Sequence, residues 1–327
     1  MDFNLSAVSF VSEKNFTPID TGKIYDVLIV GGGPAGMTAA VYCMRKGADT
    51  AIIIKSIGGQ VAETSSIENY LGYKYINGVE LVDKFKEQVF QFSIGYDEGH
   101  GVAAIEDGGI KRVTIEDGRV IQCRALIIAS GKSWKKLGVP GEKQFTGKGV
   151  AYCTICDAPF FAGKKVIVVG GGNSGVEAAI DLASVASEVI IVQLLEELTA
   201  DKILLDKLGT FSNVSMIFNS SVTEITGEDK VHEVTVKRVD TGIISKISTD
   251  GIFIEIGLDP NSSFACGVVE MNSSSEILVD SRCATNREGI FAAGDVTSVP
   301  FKQIIIAGGE GAKAALSACE YILKRKL

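Results

Sequence analysis

Two cysteines separated by two residues are the most chemically informative feature of this sequence. They are Cys153 and Cys156, in the stretch YCTICD. Such a pair can close a redox disulfide, since thiol–disulfide exchange needs one exposed thiolate to attack and a second sulfur to resolve the mixed disulfide. Asp157 follows directly, and a carboxyl group there could exchange protons with a thiolate. The alternative is a CxxC that only packs in the fold, with the aspartate capping a turn.

The other cysteines do not extend this pair into a disulfide framework or a metal site. The chain has 7 cysteines, an odd number, and no second CxxC pair, which is untypical of small secreted disulfide-rich domains. Its 2 histidines, His100 and His232, stand alone. Structural zinc sites usually have four Cys or His ligands, so we predict no metal site.

Two glycine-rich turns indicate the elements that must position this chemistry. Each turn joins an apolar strand to a helix of small residues, and a second strand follows, as in a βαβ unit. The GxGxxG glycines are Gly31, Gly33 and Gly36 in the first unit and Gly170, Gly172 and Gly175 in the second. In this motif one glycine makes the turn, one lets the backbone approach a pyrophosphate, and one lets helix and strand pack closely. Two correctly placed copies predict two dinucleotide-binding units.

The order of these segments predicts an insertion. A strand in RALIIASGKS runs into Gly131, where we expect a hinge, and DGIFIEIGLDPN reads as a strand returning to the first domain. We therefore assign residues 1–131 and 249–327 to one nucleotide-binding domain and residues 132–248 to a second domain inserted into it. The predicted fold class is α/β, with two Rossmann-like domains. Near the C-terminus a strand ends at Asp295, a place where ligands commonly bind in such sheets.

Composition and charge exclude several classes of protein. Apolar residues make up 46% of the 327 residues and glycine is abundant at 37 residues, which suits a globular α/β protein. The net charge of -8 argues against a nucleic-acid-binding protein. No apolar run reaches the roughly 18 residues of a membrane span, and the N-terminal stretch lacks the pattern of a signal peptide. We therefore expect no membrane association and a cytoplasmic location.

Eight stretches in order resemble the low-molecular-weight thioredoxin reductase family. They are GGGPAG, GGQVAET, IENYLG, ALIIASG, CTICD, GGGNSG, GIFAAGDV and KQIIIAGGEGAKAA. The resemblance covers nearly the whole chain after about residue 24 and implies FAD as cofactor, thioredoxin as substrate and a homodimer. The residues implied to bind FAD are Gly31, Gly33, Pro34, Ala35, Gly36, Gly58, Gly59, Gln60, Asn69, Gly131, Gly294, Asp295, Gln303 and Ile304.

The resemblance also implies roles for the redox residues. Cys156 would face the flavin, Cys153 would attack the disulfide of thioredoxin, and Asp157 would act as the acid–base group. One departure concerns FAD: the acidic residue expected on a ribose about 20 residues after the first glycine turn falls near Lys55. A backbone group or Ser56 could contact the ribose instead.

A second departure concerns the electron donor. NADPH-dependent members of the family carry a His-Arg-Arg run and a further Arg just after the second strand of the inserted unit. Those places hold Gln193, Leu194, Leu195 and Thr199. Each charge-assisted hydrogen bond from Arg to phosphate contributes roughly 1.5–3 kcal/mol, so losing two or three would weaken binding by about two to four orders of magnitude or more. Glu196 and Glu197 add negative charge near the place of a 2′-phosphate, which makes NADPH a poor candidate.

Two explanations fit a glycine turn without cations. The enzyme could prefer NADH, with Glu196 on the ribose hydroxyls, or it could have abandoned nicotinamides and retained the inserted domain to carry the cysteine pair. The leucines favour the second explanation. A ferredoxin at about −400 mV would reduce a thioredoxin-type disulfide at about −270 mV with roughly 6 kcal/mol to spare for two electrons.

The combination resembles the ferredoxin-dependent flavin thioredoxin reductases of anaerobic bacteria. The sequence therefore favours a thioredoxin-disulfide reductase that uses FAD and the Cys153–Cys156 pair, with reduced ferredoxin as donor. One alternative is a pyridine-nucleotide enzyme with NADH preference. A second is a flavin redox sensor without turnover, which sustained thioredoxin reduction would exclude.

Overall fold

A computed structural model of the protein describes residues 16–64 and 67–326. It divides into two compact units. Unit 1 comprises the described parts of Met1–Ala62, Val79–Lys132 and Pro260–Leu327, and unit 2 those of Glu63–Gly78 and Ser133–Asp259.

The strands are numbered in chain order. They are β1 (Phe16–Pro18), β2 (Ile24–Val30), β3 (Thr50–Ile54), β4 (Ile94–Glu98), β5 (Val102–Glu106), β6 (Lys111–Ile115), β7 (Val120–Ile128), β8 (Lys132–Trp134), β9 (Val150–Ala151), β10 (Lys165–Val169), β11 (Glu188–Val192), β12 (Val214–Ile217), β13 (Ser220–Gly227), β14 (Val231–Arg238), β15 (Ile244–Ser248), β16 (Gly251–Ile254), β17 (Leu258–Pro260) and β18 (Ile290–Ala292).

The α-helices are α1 (Pro34–Arg45), α2 (Gly78–Val89), α3 (Glu142–Phe145), α4 (Thr154–Asp157), α5 (Asn173–Ala183), α6 (Lys202–Leu208) and α7 (Ile304–Lys326). Short 3₁₀ turns occupy Gly59–Glu63, Ala158–Phe161, Ser263–Ala265 and Gly294–Val296. Among the residues that the structure describes, no helix is both long and apolar enough to cross a membrane.

Unit 1 is organised around a mixed sheet of eight strands. Its order is β1-β4-β3-β2-β7-β6-β5, and β18 also pairs with β7. The strands from β1 to β7 in this order, and β18, run parallel, whereas β5 and β6 add an antiparallel edge. Alternate residues of β2 enter two apolar cores, with Val27 and Ile29 on one face and Leu28 and Val30 on the other. Apolar residues on both faces explain the unbroken hydrophobic runs of the sequence.

Unit 2 repeats this plan with a parallel sheet in the order β12-β11-β10-β16-β9. Val166 and Val168 of β10 face one core and Ile167 and Val169 the other. A separate antiparallel sheet of β13, β14 and β15 follows β12 in the chain, and β8 pairs with β17 in a two-stranded sheet. Both βαβ units form where the glycine turns predict them, which confirms the α/β, Rossmann-like fold class.

The start of the return segment differs from the sequence interpretation. Residues from 249 onward were assigned to the first domain, but β16 pairs in parallel with β10 and β9 inside the sheet of unit 2. The reason is that an apolar strand such as GIFI satisfies its backbone wherever a parallel partner lies beside it, and the sequence pattern does not name that partner. Unit 2 ends at Asp259.

Candidate active site

The first glycine turn contains two glycines that the fold itself requires. Gly31 has φ +121°, in a region that side chains disfavour. A Cβ atom there would lie 2.1 Å from the carbonyl oxygen of Ala129, and one on Gly36 would lie 1.9 Å from the carbonyl oxygen of Gly31. These contacts bring β2, α1 and β7 close together, as the motif predicts.

Gly33 is different, because nothing in the described part of the protein demands a glycine there. Its φ of −81° and ψ of −175° are extended backbone, which any residue can adopt. A Cβ atom on Gly33 would meet no described heavy atom within 4 Å. The open space lies at the N-terminus of α1, where a dinucleotide pyrophosphate is favoured by backbone N–H groups and by the helix dipole. The turn therefore fits the cofactor that the motif predicts.

Several of the residues predicted to bind FAD meet around this turn. The backbone N–H of Gly58 donates to Gly32 O at 2.8 Å, and a Cβ atom on Gly59 would lie 3.6 Å from Gly33 Cα. A Cβ atom on Gly294 would lie 2.9 Å from Cβ of Ala35. Two separate segments of the chain thus flank the first turn within unit 1.

The remaining predicted residues lie outside the turn itself. The side-chain amide of Gln60 donates to Lys132 O, and the carbonyl of Gly131 accepts from the N–H of Asn261 at 3.0 Å. Gln303 directly precedes α7, which packs on α1. Asn69 lies in residues 63–78, which group with unit 2 rather than with the first turn, so its contact with FAD stays a prediction.

Charged groups that the sequence analysis missed surround Asp295. Lys132 Nζ lies 2.6 Å from Glu276 Oε1, and Lys302 Nζ lies 3.6 Å from the same oxygen. Burial raises the pKa of Asp295, while Lys302 and Lys132 act in the opposite direction. Lys132 and Glu276 are distant in sequence, so no local pattern pairs them.

Glu310 is a second residue that the sequence analysis missed. It is 4% exposed, and its carboxylate accepts the N–H of Gly294 at 2.9 Å. A buried polar group is costly unless it is hydrogen-bonded, so we assign this carboxyl group the task of holding the backbone of Gly294, just before Asp295. The only sequence signal is a Glu among the small residues of AGGEGAKAA.

We expect Glu310→Ala to destabilise unit 1 by about 1–3 kcal/mol, because the buried N–H of Gly294 loses its acceptor. The measurement is the free energy of unfolding in denaturant, together with the fraction of FAD retained after gel filtration. Glu310→Gln keeps an oxygen acceptor and should lose less than half as much. Equal stability of Glu310→Ala and the native protein would contradict this role.

The second glycine turn repeats the geometry of the first. Gly170 has φ +119°, and its Cβ atom would lie 2.3 Å from Glu255 O, while that of Gly175 would lie 2.1 Å from Gly170 O. Gly172 has extended backbone, with φ −82° and ψ −172°, and the nearest atom to its Cβ position is Thr199 Oγ1 at 3.9 Å. Gly172 therefore leaves the same open space at the N-terminus of α5 that Gly33 leaves at α1.

The corner where the adenosine ribose would lie has no cation at residues 193–199. Gln193 follows β11 and is 6% exposed. Its amide nitrogen donates to Glu197 O at 3.1 Å and its amide oxygen accepts the N–H of Leu194 at 3.1 Å. Leu194 and Leu195 are exposed, whereas Leu198 packs into the core of unit 2. The corner thus offers hydrogen-bonding groups and an apolar surface but no cation at residues 193–199, all of which the structure describes.

The redox pair is a disulfide in unit 2. Cys153 and Cys156 are bonded, with Cα atoms 5.3 Å apart, and both are half-buried. Cys153 precedes helix α4 as its N-cap residue and Cys156 lies within the helix. The N–H of Asp157 donates to Cys153 O at 3.0 Å. Ile155, between the cysteines, is 64% exposed, so this loop is accessible on one side. The separate roles of the two cysteines and of Asp157 stay predictions.

Glu255 is a further group at the redox loop that the sequence analysis missed. Thr154, between the cysteines, donates its hydroxyl to Glu255 Oε1 at 2.9 Å. Burial raises the pKa of Glu255 to about 7, and this hydrogen bond opposes part of the rise. A sequence signal exists, since Glu255 directly follows the apolar strand GIFI and therefore lies at the carboxyl end of a parallel strand, where such sheets bind ligands.

Within the described ranges 16–64 and 67–326, no group of three or more His, Cys, Asp or Glu residues could hold a metal ion.

Comparison with known proteins places this arrangement among disulfide reductases. A family model described as pyridine nucleotide-disulphide oxidoreductase matches residues 25–311. The F component of alkyl hydroperoxide reductase in Escherichia coli is 44% identical over 307 residues, covering 92% of this chain and 59% of that protein. A protein named NADH dehydrogenase from Ferdinandcohnia aciditolerans is 44% identical over 300 residues, covering 92% of this chain and 58% of its own length. The chain thus spans about three fifths of the length of these relatives.

Solved structures match over nearly their full length. Thioredoxin reductase from Streptococcus pyogenes MGAS5005 is 39% identical with a TM-score of 0.87, covering 92% of this chain and 99% of that chain. Thioredoxin reductase from T. acidophilum is 40% identical with a TM-score of 0.62, covering 90% of this chain and 98% of that chain.

Proposed function

Because this chain belongs to the pyridine nucleotide-disulphide oxidoreductase family, we propose that it passes electrons from NADH, through FAD and the Cys153–Cys156 disulfide, to a disulfide of a partner protein. The chain is a flavoprotein of the type shared by thioredoxin reductase and the F component of alkyl hydroperoxide reductase, and FAD is its cofactor. The observation that carries the choice of NADH is the open face of Gly172, where the described atom nearest to an added Cβ would be Thr199 Oγ1 at 3.9 Å.

A nucleotide explains this glycine, whereas the fold does not. Its backbone is extended, so alanine or serine would fit without strain. A pyrophosphate at the N-terminus of α5 needs the close approach that only a missing side chain allows. A unit retained solely to carry cysteines would have no use for this open face. Gly172 therefore supports a dinucleotide in unit 2.

The lack of cations in this corner favours NADH over NADPH. Residues 193–199 contain no Lys, Arg or His to pair with a 2′-phosphate, and the carboxylates of Glu196 and Glu197 would repel it. The missing cations favoured ferredoxin in the sequence analysis, but they fit NADH equally well, since NADH has no 2′-phosphate. The relative named NADH dehydrogenase supports the same donor. Reduced ferredoxin thus remains the competing electron donor, and the donor experiment below distinguishes it from NADH.

The chain's residues divide the chemistry among them. When bound at the first glycine turn, FAD would supply the two-electron redox chemistry between the nicotinamide and the disulfide. Cys153, as thiolate, then attacks the partner disulfide, and Cys156 resolves the mixed disulfide and restores the Cys153–Cys156 bond. Asp157 exchanges the proton of the attacking or leaving sulfur. The net change is NADH, one proton and a partner disulfide converted to NAD⁺ and a partner dithiol.

The partner we propose is a thioredoxin-type protein with an exposed CxxC disulfide. The solved structures named thioredoxin reductase match over 98% to 99% of their own chains, so their substrate is the nearest guide. The relatives named for alkyl hydroperoxide reductase are longer, and peroxide-linked partners are the second candidate class. We also propose a homodimer, which sedimentation velocity would test.

We expect NADH at micromolar concentration to bleach the flavin anaerobically. NADPH should need a concentration at least about 10²-fold higher for the same bleaching. The measurement is flavin absorbance during titration with each nucleotide and, separately, with chemically reduced ferredoxin. Bleaching by ferredoxin alone, with neither nucleotide active at millimolar concentration, would overturn the NADH proposal and favour the ferredoxin hypothesis. Rapid flavin reduction without turnover of any thioredoxin would favour the redox sensor.

A matched gain-of-function variant tests the effect of the missing cations at residues 193–199. Leu194→Arg places a guanidinium on an exposed position. It should increase the affinity for NADPH by about 10- to 100-fold through one charge-assisted hydrogen bond. Leu194→Gln, of similar size but uncharged, is its control. If both variants leave the NADPH requirement unchanged, the corner at Gln193–Leu195 is not where the 2′ position lies.

A further inference from the structure

Glu255 connects the second glycine turn to the redox loop within unit 2. Its carboxylate accepts the hydroxyl of Thr154 at 2.9 Å. Its backbone carbonyl accepts the hydroxyl of Ser174 at 3.5 Å and lies 2.3 Å from the place of a Gly170 Cβ atom. One half-buried residue therefore contacts both the loop that changes redox state and the turn at which the nucleotide would bind.

The strands beside this carboxyl group are apolar, and the charged group that acts on it is another carboxylate. Strands β9 and β10 flank β16, and their neighbouring residues Val150–Ala151 and Val168–Val169 are apolar. Helix α5 contributes Ser174 and Glu177, and Glu177 has the same negative sign and raises the pKa of Glu255 further. Helix α4 contributes Thr154, with Asp157 one turn along. The charged side chains named on these two helices are therefore both acidic.

We propose that the Glu255 carboxylate takes up a proton when the Cys153–Cys156 disulfide is reduced and releases it when the disulfide re-forms. The inference deepens the proposed function, on which it rests, by adding a group that sets the pH dependence of the redox pair. It follows from the Thr154 hydrogen bond, which places the carboxylate beside the loop that carries both sulfurs.

Electrons and protons balance in this step. Reduction breaks the sulfur–sulfur bond with two electrons and one proton, leaving one thiol and one thiolate. The new negative charge disfavours a second negative charge nearby, so the Glu255 carboxylate binds the second proton. Oxidation by a partner disulfide reverses both changes. The partner accepts the two electrons and the two protons and becomes a dithiol.

The sign of the pH effect follows from the raised pKa of about 7. Below that pH Glu255 is neutral and does not oppose a thiolate. Above that pH it is ionised and makes reduction of the disulfide less favourable than it would be with a neutral residue. The Thr154 hydroxyl donates to the ionised form, so removing it should move the transition to higher pH.

The experiment measures the equilibrium between the disulfide and dithiothreitol in the holoenzyme from pH 6 to pH 8.5, with free thiols trapped by alkylation and counted by mass. We compare the native protein with Glu255→Gln, and with Glu228→Gln as control, which removes one exposed carboxylate from the same unit. We compare equilibrium constants for reduction of the disulfide by dithiothreitol. The ratio of the constant for Glu255→Gln to that for the native protein should rise from about 1 at the acid end to about 10 at the alkaline end. Glu228→Gln should give a ratio near 1 throughout.

Two further variants separate proton exchange from a structural role. Thr154→Val keeps the carboxyl group and should displace the transition to higher pH. Glu255→Asp keeps an ionisable carboxyl group, so the equilibrium constant of Glu255→Gln relative to that of Glu255→Asp should still rise with pH. A flat ratio for Glu255→Gln across this range, or a Thr154→Val transition that does not move, would overturn the inference. The assay uses neither NADH nor a partner protein, so failure of the proposed donor leaves its outcome unaffected.

Discussion

We expect Cys153→Ser and Cys156→Ser each to lower the rate of partner-disulfide reduction by at least about 10³-fold, while NADH still reduces the flavin. The reason is that the pair acts as one unit, since attack without a resolving sulfur stops at a mixed disulfide and resolution without attack never begins. Steady-state reduction of thioredoxin and anaerobic flavin bleaching report the two half-reactions separately.

The two variants also assign the roles of the sulfurs. If Cys156 faces the flavin, Cys156→Ser should perturb the flavin spectrum more than Cys153→Ser, and Cys153→Ser should fail to form a mixed disulfide with the partner. The reverse order would exchange the roles. Cys266→Ser, which replaces an exposed cysteine outside the pair, should keep native activity. Substantial turnover by either serine variant of the pair would contradict the proposed route of electrons.

We expect Gly172→Val to weaken NADH binding by at least about 10²-fold while the fold keeps its stability within about 1 kcal/mol. Valine adopts the extended backbone of this residue, and its Cβ meets no described atom closer than 3.9 Å. The new side chain would occupy the space that the pyrophosphate needs, where overpacking alone costs about 1–3 kcal/mol and the N–H contacts to phosphate are lost as well. The measurements are the NADH concentration that half-bleaches the flavin and the free energy of unfolding.

Two matched variants check that the effect belongs to the open face. Gly33→Val makes the same change in unit 1 and should produce a folded protein that retains little FAD. Gly175→Ala places a Cβ atom 2.1 Å from Gly170 O and should destabilise unit 2 itself. If Gly172→Val binds NADH with native affinity, the main support for a nucleotide in unit 2 is removed. Reduced ferredoxin would then again be the favoured electron donor.

The sequence alone was sufficient for the elements whose physics is local. The apolar runs in β2 and β10 predict strands, and the glycines at Gly31 and Gly170 predict the turns that follow them. Both features depend on side-chain size and backbone angles within a few residues, so they follow without knowledge of the rest of the chain. The CxxC pair belongs to the same class, because three residues of separation bring two sulfurs within bonding reach.

Contacts between distant residues were decided only by the tertiary structure. β16 belongs to the sheet of unit 2 because β10 lies beside it, and nothing in GIFI names that neighbour. Thr154 and Glu255 are 101 residues apart, and Lys132 and Glu276 are 144 apart. The missing cations at residues 193–199 were visible in the sequence, but they fit two donors. The open face of Gly172 favours one of those donors. The motif predicts a close approach to the backbone there, but only the structure shows that the space is free, because free space beside a Cα atom depends on which other segments pack there.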